Sequence, residues 1–593
     1  MNRPLRLAAS ALTLASLSTA AYAQTTANAE APSTTKKTRA VKHNKPSVQE
    51  QLLQMQQQMQ EQNAKLEAEI ADLKAQLAAK YREADTLAQT ARASQDKVAA
   101  AEAEADAIAQ QNSAAVNQLR DSVATQNAST TAAITQVQTQ ESDIRREVEE
   151  PASIRYKGVL LTPGGFLAGE SIWRQRAMNA DIYTNFNGTP YPGAGEAHTS
   201  EWVPSARQSR PSLLASGSVP FGTVKGFFEG DFLSAGTTSN NLQSNSYTLR
   251  VRQAWGQAEA GHFVFTAGQM WTLLTEDKKG ALAGQEALPL IFDGNLHVGF
   301  TYLRQVGFRA QELFRPGITA AVALENSQYQ FSASNAPSNF FFGSAGAAAG
   351  LNNPSANYTN QVAPDVLAKI SFDPEYGHYE IGGVARFFRD RYYPGGTTSA
   401  GAQNDTKLGG GFVASARFPV TAKADIGFHL VAGDGTGRYG ASLLPDITVK
   451  PDGTLEPLRN AQGLLSIELH PTKKLDLFGY AGTEYVQRTY YRNAAGTLVG
   501  YAPPSASNAE CFTEGIPTAG TGYAPGTGTC LGATRDLVQG SLGYAYRIYS
   551  GPAGKLQYGL AYSYLTKNGW YGVGGAPKAI NNFVYTSVRY YIP

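Results

Sequence analysis

The stretch "KLQYGLAYSYLT" (555–566) restricts the fold more than any other. It puts Leu556, Tyr558, Leu560, Tyr562 and Tyr564 on one face of a strand and Lys555, Gln557, Gly559, Ala561 and Ser563 on the other. Successive side chains of a strand point to opposite faces, so one face of such a run can meet an apolar medium while the other stays wet. The pattern recurs. "TVKGFFEGDFLS" (223–234) separates Val224, Phe228 and Phe232 from Lys225, Glu229 and Asp231. "NFVYTSVRYYIP" (582–593) separates Val584, Val588, Tyr590 and Ile592 from Tyr585, Ser587 and Arg589. Period-two alternation over about ten residues, repeated along a chain, is the pattern of a transmembrane β-barrel. Charged residues make up 17% of the chain and mean hydropathy is −0.29, with no run of about 18 apolar residues, so membrane-spanning helices are excluded.

The connections sharpen this reading. Short turn signals stand at 218–223, 258–262, 314–317, 373–377, 418–421, 470–474 and 550–555. Between them lie longer Asn/Gly/Ser/Thr/Pro segments near 174–204, 272–297, 327–363, 390–407, 434–460 and 488–534. Short turns on one side and long loops on the other are the habit of outer-membrane barrels, and the count predicts about sixteen antiparallel strands. An even number leaves both barrel ends on the periplasmic side. A soluble sandwich would not need so regular an alternation. One departure is the C-terminus, Tyr591-Ile592-Pro593, which does not end on an aromatic residue.

The N-terminal quarter is of another kind. Arg3 and Arg6, a short apolar run and Ala21-Tyr22-Ala23 make residues 1–23 a signal peptide. Residues 24–46 read as a disordered cationic linker ("KKTRAVKHNK"). Over 47–150, Leu52, Met59, Leu66 and Leu73 recur at sevens beside a second row at Ile70, Leu77, Ala84 and Ala91, which predicts an α-helical coiled coil. A single helix of that kind leaves its apolar stripe uncovered, so the coil implies self-association. Pro151 ends it, and the barrel is expected over 151–593. The compartments follow: cell outer membrane for the barrel, periplasm for the coil. Cys511 and Cys530 are the chain's two cysteines and are expected to form a local disulfide in an oxidising compartment.

Function has to be read from the polar face. In "SYTLRVRQAWG" (246–256), Arg250 and Arg252 share a strand face about 7 Å apart. Turned to lipid, the pair would cost roughly 4–8 kcal/mol near the midplane. Over a wet lumen they repel by about 0.6 kcal/mol in bulk-like water, or ~2.4 kcal/mol at an intermediate dielectric. The lumen wins, which turns Leu249, Val251 and Trp255 toward lipid or a neighbouring subunit. Glu229 and Asp231 on the preceding strand could neutralise the arginines, leaving a structural barrel as the alternative. Arg207, Arg210, Arg304, Arg309 and Arg417 complete the expected pore-lining set, and Arg547 and Arg589 lie on other predicted strands. Guanidinium forks suit carboxylate and phosphate oxygens, so an arginine-lined constriction would favour small anions.

Other functions find little support. The seven histidines are scattered, and no catalytic constellation, metal site or cofactor motif stands out. Asp425 and His429 would lie about 13 Å apart along one strand, too far for a base and its orienting partner. "GDGTG" (433–437) has no helix pattern after it and reads as a turn rather than a phosphate loop. A net charge of +2 gives no reason to expect nucleic acid as a partner.

"ARQSR" (206–210), "FFEGDF" (227–232), "LRVRQAWG" (249–256), "GQMW" (268–271) and "GDGTGRY" (433–439), in this order, resemble the DcaP-type trimeric outer-membrane porins over most of 160–593. The resemblance implies a homotrimer of sixteen-stranded barrels in outer-membrane lipid, a periplasmic coiled coil, and passive uptake of dicarboxylates and similar small anionic solutes. It makes Arg207, Arg210, Arg250 and Arg252 pore-wall candidates. It also makes 272–297 a candidate constriction loop in which Glu276, Asp277, Lys278 and Lys279 could tune charge. The alternative function is a structural tether that links the outer membrane to peptidoglycan through the coil.

Overall fold

A computed structural model describes residues 80, 117–127, 129–131, 153–234, 247–345, 357–396, 398–516 and 530–593. The chain divides into two units, 1–136 and 137–593. In the first, residues 80, 117–127 and 129–131 are helical, and the rest of the expected coiled coil lies outside the described residues. No described helix is long and apolar enough to cross a membrane.

The second unit is a nineteen-stranded antiparallel sheet. Three members are short: Ile154–Tyr156, Glu201–Ser205 and Phe340–Phe341. The other sixteen form the wall of a barrel. The first four are β1 (Val159–Arg174), β2 (Arg210–Val219), β3 (Gly222–Ser234) and β4 (Thr248–Ala260). Next come β5 (Phe263–Trp271), β6 (Arg304–Arg315), β7 (Ile318–Glu325) and β8 (Asp365–Phe372). They are followed by β9 (His378–Tyr392), β10 (Gln403–Thr421), β11 (Ala424–Asp434) and β12 (Arg459–Thr472). The last are β13 (Leu475–Val486), β14 (Thr534–Gly551), β15 (Gly554–Gly569) and β16 (Lys578–Tyr591). Each strand pairs with the next in sequence, and β1 closes the ring on β16 from Phe166↔Tyr591 to Arg174↔Phe583. Closure removes the unpaired strand edges that an open sheet would expose.

All seven expected short turns join neighbouring wall strands. At one of them Gly554 has φ +93°, and a Cβ there would lie 2.3 Å from the carbonyl oxygen of Tyr591, so the turn requires glycine. Two long connections, 235–247 and 570–577, escaped the sequence reading and complete the alternation. On β15 and β16 the facing is as expected: Tyr562, Tyr564, Val588 and Tyr590 point outward, Ala561, Ser563, Tyr585 and Ser587 inward. Cys511 and Cys530 are disulfide-bonded.

β4 corrects one assignment. Leu249 and Val251 face outward, 47% and 46% exposed, but Trp255 is only 8% exposed and packs inside against Phe227, Met270 and Ala283. The cause is a β-bulge. Glu229 pairs with Gln253 and Gly230 with Val251, so Arg252 is an extra residue and the inward parity changes from even to odd.

The core lies inside the ring. The segment 272–303 between β5 and β6 folds inward, where Ile291, Phe292, Val298 and Phe300 pack against wall residues Ile172, Phe478, Leu537 and Phe583.

Candidate functional site

The inserted segment is pinned to the wall at many points. At its root, Arg309 donates to the carbonyl oxygens of Trp271 (2.6 Å) and Ala281 (3.2 Å), and Leu273 N donates to Glu325 (2.7 Å). Next, Lys369 of β8 grips Asp277 (2.6 Å) and Glu380 (2.8 Å), while Arg417 of β10 grips Glu276 (2.8 Å). Farther along, Leu290 N donates to Tyr480 Oη (2.8 Å), Val298 N to Gln539 (2.9 Å), and Tyr585 Oη to Asp293 (2.8 Å). Gly299 has φ +87°, and a Cβ there would sit 2.0 Å from Gly463 O, so only glycine lets the segment lie this close to β12. His297 is fully buried with Nε2 2.9 Å from Ser541 Oγ, and burial pushes it down to about 4. It is a neutral strut.

This corrects the expected use of the loop acids. Glu276 and Asp277 are buried and bound to wall cations, whereas Lys278 and Lys279 are exposed. Arg309 and Arg417 serve the same anchoring; Arg417 also lies 3.7 Å from Glu468.

The remaining arginines divide into two places. Arg207 pairs with Asp181 (3.0 Å) in a groove with Leu167, Trp202, Phe232 and Tyr247. Leu167 and Trp202 are largely exposed, so Arg207 stands apart from the lumen cluster that Arg210 joins. Arg207 lies in the turn between Glu201–Ser205 and β2, whereas Arg210 is the first residue of β2.

Arg210, Arg250, Arg252 and Arg304 gather around two acids. Arg250 holds Asp231 with a fork, Nε and Nη2 each 2.9 Å from a carboxylate oxygen. Arg252, 2% exposed, donates to Glu229 (2.9 Å) and Asp231 (2.7 Å). Arg210 reaches Glu229 at 3.8 Å. Arg304 lies over the rings of Trp271 and Tyr302, its Nη2 3.4 Å from the Tyr302 oxygen, with no carboxylate within 4 Å among the described residues. Three guanidinium groups therefore share two carboxylates, and the fourth, Arg304, has only aromatic rings and a phenol beside it. At Tyr302 burial raises the phenol, but the charges of Arg304, Arg252 and Arg250 outweigh it and bring it down to about 8.

Barrel closure extends the cluster. Arg589 of β16 pairs with Glu170 (2.7 Å), and Phe166 lies under both Arg589 and Arg210, at 4.6 and 5.2 Å from its ring centre. Lys555 sits over the Tyr591 ring at 3.7 Å, and Arg547 binds the Asp476 carboxylate. Arg210, Arg252, Arg547, Lys555 and Arg589 line one cavity of about 240 Å³, faced by Asp293, Asp476 and the loop residues Leu288–Ile291. Lys555 was outside the sequence-based set, and Arg547 and Arg589 were not placed with the others. Their signal was inward parity on the last strands, meaningful once β16 is known to pair with β1.

No family model matches the chain, and no curated protein does. Among solved structures, the outer membrane channel DcaP of Acinetobacter baumannii superposes with a TM-score of 0.50 at 15% identity, covering 74% of this chain and 99% of that one. An anion-selective porin from Comamonas acidovorans matches with a TM-score of 0.40 at 10% identity over 73% and 100% of the two chains. Salmonella typhi OmpF matches at 0.38 and 9% identity over 74% and 100%. The likeness to DcaP is one of fold, and this chain shares that channel's barrel.

Proposed function

We propose that this chain is an outer-membrane porin, a passive water-filled channel that favours small hydrophilic anions. The observation that carries the reading is a surplus of positive charge in the lumen: Arg210, Arg250, Arg252 and Arg304 stand with Glu229 and Asp231, and the adjoining cavity adds Arg547, Lys555 and Arg589 against Asp476, Asp293 and Glu170. An arginine set bound only partly by acids attracts an anion without holding it too tightly to leave. Wall-pinned loop residues narrow the path, and their apolar side at Leu288–Ile291 steers a charged solute toward the basic arc.

Assembly as a homotrimer, with the coil over 47–150 in the periplasm, and dicarboxylate-like solutes belong to the same proposal. The test is the reversal potential of single channels under a salt gradient. Anion preference in the native protein, reduced in Arg250→Ala/Arg252→Ala, supports it. A cation preference that survives the double substitution overturns it.

A further inference from the structure

The basic arc has an acidic counterpart across the barrel. Asp390 of β9 is 2% exposed, and neither of its carboxylate oxygens has a hydrogen-bond partner. In register it stands opposite Asp405 of β10. Facing side chains of an antiparallel pair are about 5 Å apart at Cβ, and like charges at that spacing destabilise the pair. Its surroundings do not resolve the conflict. Lys407 bonds Asp405 at 2.9 Å, and Lys450 of the overlying loop is held by Glu456 at 2.7 Å. Asp452 of that loop adds a further negative charge, its Oδ1 accepting from Thr454 N and Oγ1 at 2.9 and 2.8 Å. The Tyr329 phenol donates to Arg389 O at 2.7 Å instead. The Arg391 guanidinium is directed to Asn404 at 3.1 Å. Asn339 Oδ1, beside Gly453 in the same loop cluster, is also buried without a donor.

Unpartnered oxygen acceptors, a buried carboxylate facing another, and four acids to two lysines call for a cation. We propose that Asp390 and Asp405 hold a divalent cation, calcium by preference, between β9 and β10 at the long-loop end of the barrel. The donors are hard oxygens with no histidine or cysteine among them, which suits calcium rather than zinc. Among the described residues no group of three or more His, Cys, Asp or Glu side chains is placed to hold a metal ion, so a site built on two carboxylates would leave the rest of the coordination to water. Bound there, it would remove the repulsion between the two strands and draw the loop carrying Asp452 toward the wall.

The test is calorimetric titration of chelator-treated, detergent-solubilised full-length protein with calcium chloride. One calcium per chain is expected, with magnesium weaker. Asp390→Asn should lower the affinity at least tenfold, and Lys407→Met, which removes the competing ammonium, should preserve or tighten it. Heat-resistant mobility of the barrel on electrophoresis verifies that each variant is folded. Absence of calcium binding by the native protein overturns the proposal, as does native-like binding by folded Asp390→Asn. If Asp390 keeps a proton instead, acid will stabilise the barrel and calcium will not, which also overturns it.

Discussion

Replacing Arg304 with glutamine is expected to lower the anion preference of the channel about twofold. Arg304 is the informative choice because no described carboxylate lies within 4 Å of it, so its charge can be removed without leaving a buried acid unpaired. Arg252→Ala is less clean, since it takes one cation from both Glu229 and the fully buried Asp231. A unit charge acts on an ion about 7 Å away with about 0.6 kcal/mol in bulk-like water. Screening over a Debye length of about 8 Å at physiological salt reduces this to about 0.25 kcal/mol. The anion gains what the cation loses, so each unpaired guanidinium separates the two by about 0.5 kcal/mol, or about twofold in permeability. Two such charges give about fivefold, and Arg304→Gln should leave about twofold. Reversal potentials of single channels read this ratio directly. Asp231→Asn provides the opposite sign, because it exposes one more positive charge. A ratio that stays unchanged in Arg304→Gln, with the protein folded, would refute the assignment of selectivity to this cluster.

Tyr302 makes the same field depend on pH. With its phenol brought down to about 8, it is neutral below that pH and a phenolate above it, cancelling one guanidinium. Anion preference should therefore fall about twofold between pH 7 and pH 9 and stay flat in Tyr302→Phe, as read by reversal potentials at both values. Lys369→Met would leave Asp277 buried without its cation and Glu380 with only His378 at 3.1 Å, a loss of about 3–5 kcal/mol measurable by thermal unfolding. Gly299→Ala places a Cβ 2.0 Å from Gly463 O, so the inserted segment must lift from β12 and single-channel conductance should rise.

The barrel was legible because its determinants are local. Alternation along "KLQYGLAYSYLT" and the seven turns need no knowledge of distant residues, and both agree with the structure. Where a local rule is interrupted, the reading fails. Extending one parity from Arg250 to Trp255 passes unaware through the bulge at Arg252, so the tryptophan was assigned to the wrong side. The candidate site was legible only in composition. Arginine-rich strands were evident, but Arg309 and Arg417 are anchors, Arg207 lies in another groove, and Arg589 joins Arg210 through ring closure.

The sequence alone determined a many-stranded barrel with alternating short and long connections, and a Glu229/Asp231 pair placed to meet Arg250 and Arg252 on the next strand. These are consequences of period-two facing and of hairpins between sequence neighbours. The balance of charge in the lumen was decided only by the tertiary structure. It depends on a segment folded through the barrel, which brings Tyr302 near Arg252 and Arg250 and consumes Glu276 and Asp277 elsewhere, and on closure between residues more than four hundred positions apart. Electrostatic interaction follows distance in space, and no spacing along the chain encodes those distances.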